Sequence, residues 1–306
     1  MYFFKRALFL VPLTLVISLL SFILVRVAPG GPFDKERQPA SPEIERALKA
    51  KYHLDEPIWK QYFRYLGGLA RGDFGPSLKY RNHTVNDIIA QGLPVSLALG
   101  TAAFCFALGA GVPLGFFTAV RKGNWDEYAA SFLGLLAICI PGLVIGPVLV
   151  MALAVQRQWF PVALWGSPLH AVLPILTLGL YFAGRVARLT QEGMLNTLHA
   201  EFITTARAKG LSETAVLLKH AFRIAVLPVI SYSGPLLADL LTGSFVVENI
   251  FQIPGIGVFM VNSSLNRDYP MVVGLVLLYA VLLLVLNLIV DFSYSLLDPR
   301  IRRKRA

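Results

Sequence analysis

Long apolar runs recur along this chain, and they constrain its fold more than any other feature. Crossing about 30 Å of hydrocarbon takes roughly 20 helical residues. Runs at 7–25, 93–120, 129–155, 169–189, 225–247 and 271–290 meet or approach that length. The chain has 306 residues, 56% hydrophobic and 15% charged. A soluble domain carries nearer a quarter charged, so the composition points to a polytopic membrane protein. The run at 7–25 reads as an uncleaved first span, because Arg26 and Pro29 stand where a signal peptidase needs small residues.

The net charge of +10 could indicate nucleic acid, but its distribution argues for topology instead. Lys5 and Arg6, Arg121 and Lys122, the basic loop from Arg185 to Arg223, and the tail Arg300, Arg302, Arg303, Lys304 and Arg305 all fall on one side of a six-span arrangement. The short loops on the other side carry only Arg157 and Arg267. The expectation is an all-α polytopic protein with six transmembrane helices, both termini cytoplasmic, and a long extracytoplasmic loop after the first helix. Residues 1–29 form the first helix and 30–92 the outer loop. Residues 93–295 form a five-helix core that includes a cytoplasmic loop at 190–224, and 296–306 form a basic tail.

Finer signals follow. In the outer loop, Ser41-Pro42-Glu43 and Asp55-Glu56-Pro57 are helix starts. The second helix has Ile58, Tyr62, Leu66 and Leu69 along a face expected to meet membrane or neighbouring spans, and Gly72 to Pro76 ends it. Ala107, Gly111 and Gly115, like Gly142 and Gly146, recur every four residues, a spacing that lets helices approach closely in lipid. Pro113, Pro141, Pro147 and Pro235 should kink or loosen spans. Cys105 and Cys139 sit inside apolar runs and read as small buried hydrophobes.

No catalytic chemistry is written here. There is no G-x-x-x-x-G-K-[ST] for ATP, no HExxH, no GxSxG and no His/Cys cluster for a metal. Ionisable residues in the spans are the default functional candidates, and they are few: Asp239 in the fifth run, Glu248 at its outer end, and Asp291 at the inner end of the sixth. An ion-coupled carrier usually needs a richer set of buried acids, so the driving energy is expected elsewhere. Asp239 either lines a polar pathway or pairs with a partner subunit or the backbone.

The polar loop stands apart. It reads Glu201-Phe-Ile-Thr-Thr-Ala-Arg-Ala-Lys-Gly210-Leu-Ser-Glu. On a helix Ala206 and Gly210 lie one turn apart, a bare face that another protein could approach closely. Arg207 and Lys209 project elsewhere and can pair with acids. Gly210 is also a C-terminal cap, and Ser212-Glu213 a fresh helix start. From these residues alone, a solvated amphipathic connector remains the competing description.

Thr204-Thr205-Ala206-Arg207-Ala208-Lys209-Gly210-Leu211, followed by Leu227-Pro228, resembles the cytoplasmic "EAA" loop of ABC-importer permeases, in the TARAKGL form of the peptide permeases. Thr204 replaces the motif's glutamate and Thr205 its first alanine, so only Ala206, Gly210 and Pro228 carry over. The likeness extends through Arg26 to Gly30, Lys51 to Asp55, Gly72 to Ser77, Gly243 to Glu248, Pro254 to Gly257, Asn266 to Tyr269 and Asp298-Pro299. It is similar to the first membrane subunit of bacterial oligopeptide importers.

The resemblance implies a bacterial inner-membrane transport subunit that is not itself an enzyme. Its partners would be a related second permease and two cytoplasmic ATPases that bind ATP and magnesium. An extracytoplasmic peptide-binding protein and membrane lipid would complete the set, with no nucleic acid. Glu201, Thr204, Thr205, Ala206, Arg207, Ala208, Lys209, Gly210 and Leu211 would form the ATPase-docking loop, and Asp239 and Glu248 are pathway candidates. Dipeptide, glutathione, peptide-antibiotic or nickel transport are the alternatives within the family. An ion-coupled carrier is the alternative outside it.

Overall fold

The computed structural model describes residues 2–27, 53, 55–80 and 82–297. The expected helix start at Ser41-Pro42-Glu43, the Asp298-Pro299 pair and the basic tail lie outside them. Among the described residues every regular element is helical, apart from an isolated bridge between Pro76 and Thr84. Five helices are long and apolar enough to cross a membrane, or six spans if one bent pair is counted as a single span. The chain divides into two compact units: Met1–Val95 with Gly255–Val285, and Ser96–Pro254 with Leu286–Ala306.

In the first unit, α1 (Tyr2–Val27) packs on α2 (Ile58–Leu69) through polar and aromatic contacts. Tyr62 Oη lies 2.8 Å from Ser18 Oγ, and its ring meets Phe22 edge-on at 5.1 Å. The Arg26 guanidinium donates to Gln61 Oε1 at 3.1 Å and lies over the Phe22 ring. Of the face expected on α2, Tyr62 therefore meets a neighbouring helix, while Ile58 is exposed. Helix α3 (Val85–Val120) starts well before residue 93, the boundary expected from hydropathy. Thr84 and Asp87 cap it reciprocally: the Thr84 N–H donates to Asp87 Oδ2 at 2.9 Å, and the Asp87 N–H to Thr84 Oγ1 at 3.1 Å.

The turn after α2 is tied to the start of the last long helix, α13 (Tyr269–Leu297). The buried Asp268 carboxylate accepts from the Ser77 hydroxyl, from the Leu78 and Lys79 N–H groups at 3.1 and 3.3 Å, and from the Met271 N–H at 3.3 Å. One side chain thus caps a helix and anchors a loop distant in sequence. An apolar cluster of Val85, Ile88, Ile89, Met271 and Leu275, with Ile256 of α12 (Ile256–Leu265), fills the space beneath.

The second unit is organised on α6 (Pro168–Leu198), which runs past its expected end at 189. The small-residue stripe of α3 faces it, as the spacing anticipates. A Cβ at Gly111 would come within 2.6 Å of the Ala183 carbonyl oxygen, and one at Gly115 would overlap that of Ala187. Only glycine permits this approach.

The run at 129–155 does not cross as one helix. Helix α4 (Trp125–Cys139) ends at Ile140, and α5 (Gly142–Leu149) resumes at 108° to it, continuing into a π-helical stretch, Val150–Val155. Pro141 supplies no N–H and pushes the preceding residue out of helical space, and Ile140 has φ −87° and ψ 121°. The two cysteines also differ from expectation: Cys105 and Cys139 are exposed on the chain's surface. An outward residue of a span meets lipid or another subunit, so apolar surroundings in sequence do not imply burial.

Candidate functional site

The polar loop folds as a short helix, a tight turn and a new helix. Helix α7 (Glu201–Ala208) stops at a left-handed glycine, Gly210, with φ 78°. The Gly210 N–H donates to the Arg207 carbonyl at 2.9 Å and the Leu211 N–H to that of Ala206 at 3.4 Å, the paired bonds of a Schellman C-cap. Ser212 then starts α8 (Glu213–Ala215), accepting the Ala215 N–H on its hydroxyl at 3.4 Å. Both ends of the turn are where the sequence places them.

A salt bridge closes the turn. Arg207 Nε and Nη2 donate to Glu213 Oε2 and Oε1 at 3.1 and 2.6 Å. These bonds hold the Glu213 carboxyl below the usual carboxylate range, and the same bonds raise the Arg207 guanidinium. Arg207 thus serves the turn itself, and its planar fork matches the carboxylate.

The bare face expected at Ala206 and Gly210 does not open to another protein. Ala206 is 6% exposed and Ile203 is fully buried, and both belong to a cluster with Ala119, Met194, Val216, Ala221 and Ala225. Phe116 and Phe222 pack beside it, edge to face at 5.8 Å. The small residue at 206 lets α7 settle on the ends of α3 and α6, and on the π-helical Val216–Ala221 and α9 (Phe222–Ala225) that lead onward. Gly210 lies beyond the helix end, so it does not share a continuous helical face with Ala206. A Cβ there would meet nothing within 4 Å.

The outward side of α7 is therefore Glu201, Thr204, Thr205 and Ala208, with Phe202, Lys209, Gly210 and Leu211 exposed beside it. Pro228 occupies the first turn of α10 (Leu227–Gly243), where a missing N–H costs nothing. The arrangement is a protruding, cross-braced element seated on the ends of long helices.

The two pathway candidates differ. Glu248, on α11 (Phe245–Ile250), is fully buried and accepts from the Ser244 hydroxyl at 2.6 Å. Asp239 is exposed on α10. In the sequence Arg185 reads only as the first charge of the basic cytoplasmic loop. The structure sets it on α6 beside Tyr181 and over the Tyr232 ring of α10, at 5.4 Å from the ring centre. The signal available was an arginine inside a helix long enough to span, which by itself marks function as readily as topology.

The second unit thus combines long apolar helices and a sharply bent pair with a short braced helix between α6 and α10. The chain shares its fold with the inward-facing MetNI methionine ABC transporter, at TM-score 0.58 and 17% identity over 69% of this chain and 96% of that one. An amino acid ABC transporter crystallised with histidines gives a TM-score of 0.52 over 68% and 93%.

The chain belongs to the family of binding-protein-dependent transport system inner membrane components, whose model matches residues 111–303. It is a multi-pass protein of the inner membrane. It is 44% identical to the oligopeptide transport system permease protein OppB of Haemophilus influenzae, over 98% of this chain and 99% of that one. It is 42% identical to OppB of Salmonella typhimurium, over 97% and 98%, and 42% identical to the dipeptide transport system permease protein DppB of Bacillus subtilis, over 98% and 97%.

Proposed function

We propose that this chain is one of two membrane-spanning permeases of an ATP-driven importer that carries oligopeptides across the bacterial cytoplasmic membrane. Near end-to-end identity with permeases named for oligopeptide transport is the observation that carries the reading. Both termini and the 201–211 loop lie on the cytoplasmic side, where the excess of Lys and Arg belongs. A related second permease completes the pathway, and two ATPases supply ATP and magnesium that this chain does not bind. An extracytoplasmic binding protein delivers peptide to the outer loops.

The outward side of α7 sits in a groove of one ATPase. Closure of the ATPases pushes on it, and the cluster beneath Ile203 and Ala206 passes that push to α3, α6 and α9, which leads into α10. ATP drives transport because the ATPases bind it more tightly when these helices are in one arrangement than in the other.

Dipeptide transport is the second reading, favoured by the equally full-length match to DppB. The test is uptake of labelled peptides of graded length, from dipeptides upward, into vesicles holding the reconstituted complex and loaded binding protein. ATP-dependent uptake that requires this chain supports the reading, and its length profile separates the two substrates. Transport by this chain alone on an ion gradient would replace it with an ion-coupled carrier.

A further inference from the structure

Four polar side chains share one exposed seam of the second unit. Tyr181 and Arg185 come from α6, and Tyr232 and Asp239 from α10, both helices of membrane-crossing length. The Arg185 guanidinium hydrogen-bonds the Tyr181 hydroxyl at 3.3 Å and lies 5.7 and 5.4 Å from the centres of the Tyr181 and Tyr232 rings. It has no carboxylate within ion-pair distance among the described residues, although its neighbour Arg188 is paired with Glu192 at 3.0 Å. The Tyr232 hydroxyl is buried without a hydrogen-bond partner. Asp239 is exposed two turns further along the Tyr232 side of α10, also without an ion pair among the described residues.

Lipid is a poor cover for unpaired charges on helices of this kind, since ionisable residues in membrane spans are rare and almost always face the bundle interior or a water-filled cavity. Contact between the two charges would neutralise both, but no ion pair joins them among the described residues. Seven residues of helix separate Tyr232, beside Arg185, from Asp239, roughly 10 Å at about 1.5 Å per residue. An extended peptide advances about 3.3 Å per residue, so a tripeptide spans the same distance. Peptides of different sequence share only their backbone and their two charged ends. A cation beside Tyr232 and an anion two helical turns along the same seam offer partners to those ends and ignore the side chains between.

We propose that this seam lines the peptide's path, with Arg185 receiving the C-terminal carboxylate and Asp239 the N-terminal ammonium. The assignment rests on the peptide-importer reading. The aromatic rings flanking Arg185 hold the guanidinium in place, with one donor on the Tyr181 hydroxyl and the others available to a carboxylate.

The test uses the complete reconstituted complex and a labelled tripeptide with free ends, its C-amidated form and its N-acetylated form. Each is offered at concentrations that load the binding protein to equal occupancy. Loss of a charge-assisted hydrogen bond in Arg185→Gln is expected to raise the KM for the free tripeptide about tenfold or more. The amidated form should be carried equally by wild type and Arg185→Gln, because its carboxylate is already gone. Asp239→Asn should show the mirror pattern with the acetylated form, and Arg185→Lys should recover part of the loss. Equal losses for free and amidated peptide in Arg185→Gln would overturn the proposal. So would failure of that variant to copurify with the other subunits, which would make Arg185 an intersubunit contact. A wild-type complex that carries no free tripeptide would instead defeat the underlying peptide-importer reading.

Discussion

Gly210 isolates one physical effect. Its φ of 78° is left-handed, and a Cβ there would touch nothing within 4 Å, so a substitution is felt through the backbone alone. An alanine in that conformation costs about 1–2 kcal/mol, whereas asparagine tolerates it better. A cost of that size lowers the population of the closed turn by roughly 5- to 30-fold. The reporters are the Gly210 and Leu211 amides, which donate to the Arg207 and Ala206 carbonyls only when the turn is closed. Hydrogen exchange across 201–215, in detergent or nanodiscs, should therefore lose about that factor of protection in Gly210→Ala and much less in Gly210→Asn. In the assembled complex, uptake per ATP hydrolysed should fall in the same order. Unchanged protection in Gly210→Ala, or equal losses for Ala and Asn, would rule out backbone strain at residue 210 as the cause.

Other perturbations probe other parts of the fold. Gly115→Leu should lower thermal stability by about 3 kcal/mol, the upper end of overpacking costs, because its Cβ overlaps the Ala187 carbonyl. Gly109→Leu, with nothing within 4 Å of its Cβ, should be neutral in the same melt. Asp268→Ala should cost about 3 kcal/mol by stranding the Leu78 and Lys79 N–H groups, with Ser77→Ala costing about 1 kcal/mol, and limited proteolysis at 72–80 should follow that order. The Glu213 carboxyl is depressed in the folded protein, so its contribution to the turn is present above its ordinary value of 4.5 and lost as pH falls through the lower folded value. Arg207→Gln should bring its titration, followed by carboxyl carbon NMR, back towards that value.

The contrast between what the sequence shows and what it hides follows from locality. Apolar runs, the capping of α7 by Gly210 and the restart at Ser212 depend on residues a few positions apart, and the structure reproduces them. The break at Ile140 was half legible: Pro141 signals a kink, but a 108° reorientation depends on packing that no local pattern encodes. The Ser77–Asp268 tie joins residues far apart, and each half reads alone as an ordinary turn or cap. Ala206 was misjudged because a small residue serves equally to admit a partner or to let its own helix sit close. Only the positions of Met194, Val216 and Ala221 decide between them. The exposed cysteines fail for the reason peculiar to membranes, that apolar residues belong on both sides of a span's surface.

The proposed function requires α7 to meet an ATPase by its outer side while its inner side stays within this chain. Single cysteines at Thr204 and Ala208, and at Ile203 and Ala206, can be cross-linked in the assembled complex in a background lacking Cys105 and Cys139. Thr204→Cys and Ala208→Cys should cross-link to the ATPase with a yield that changes on ATP binding, and Ile203→Cys and Ala206→Cys should not. Cross-links from 203 and 206, with none from 204 and 208, would contradict it.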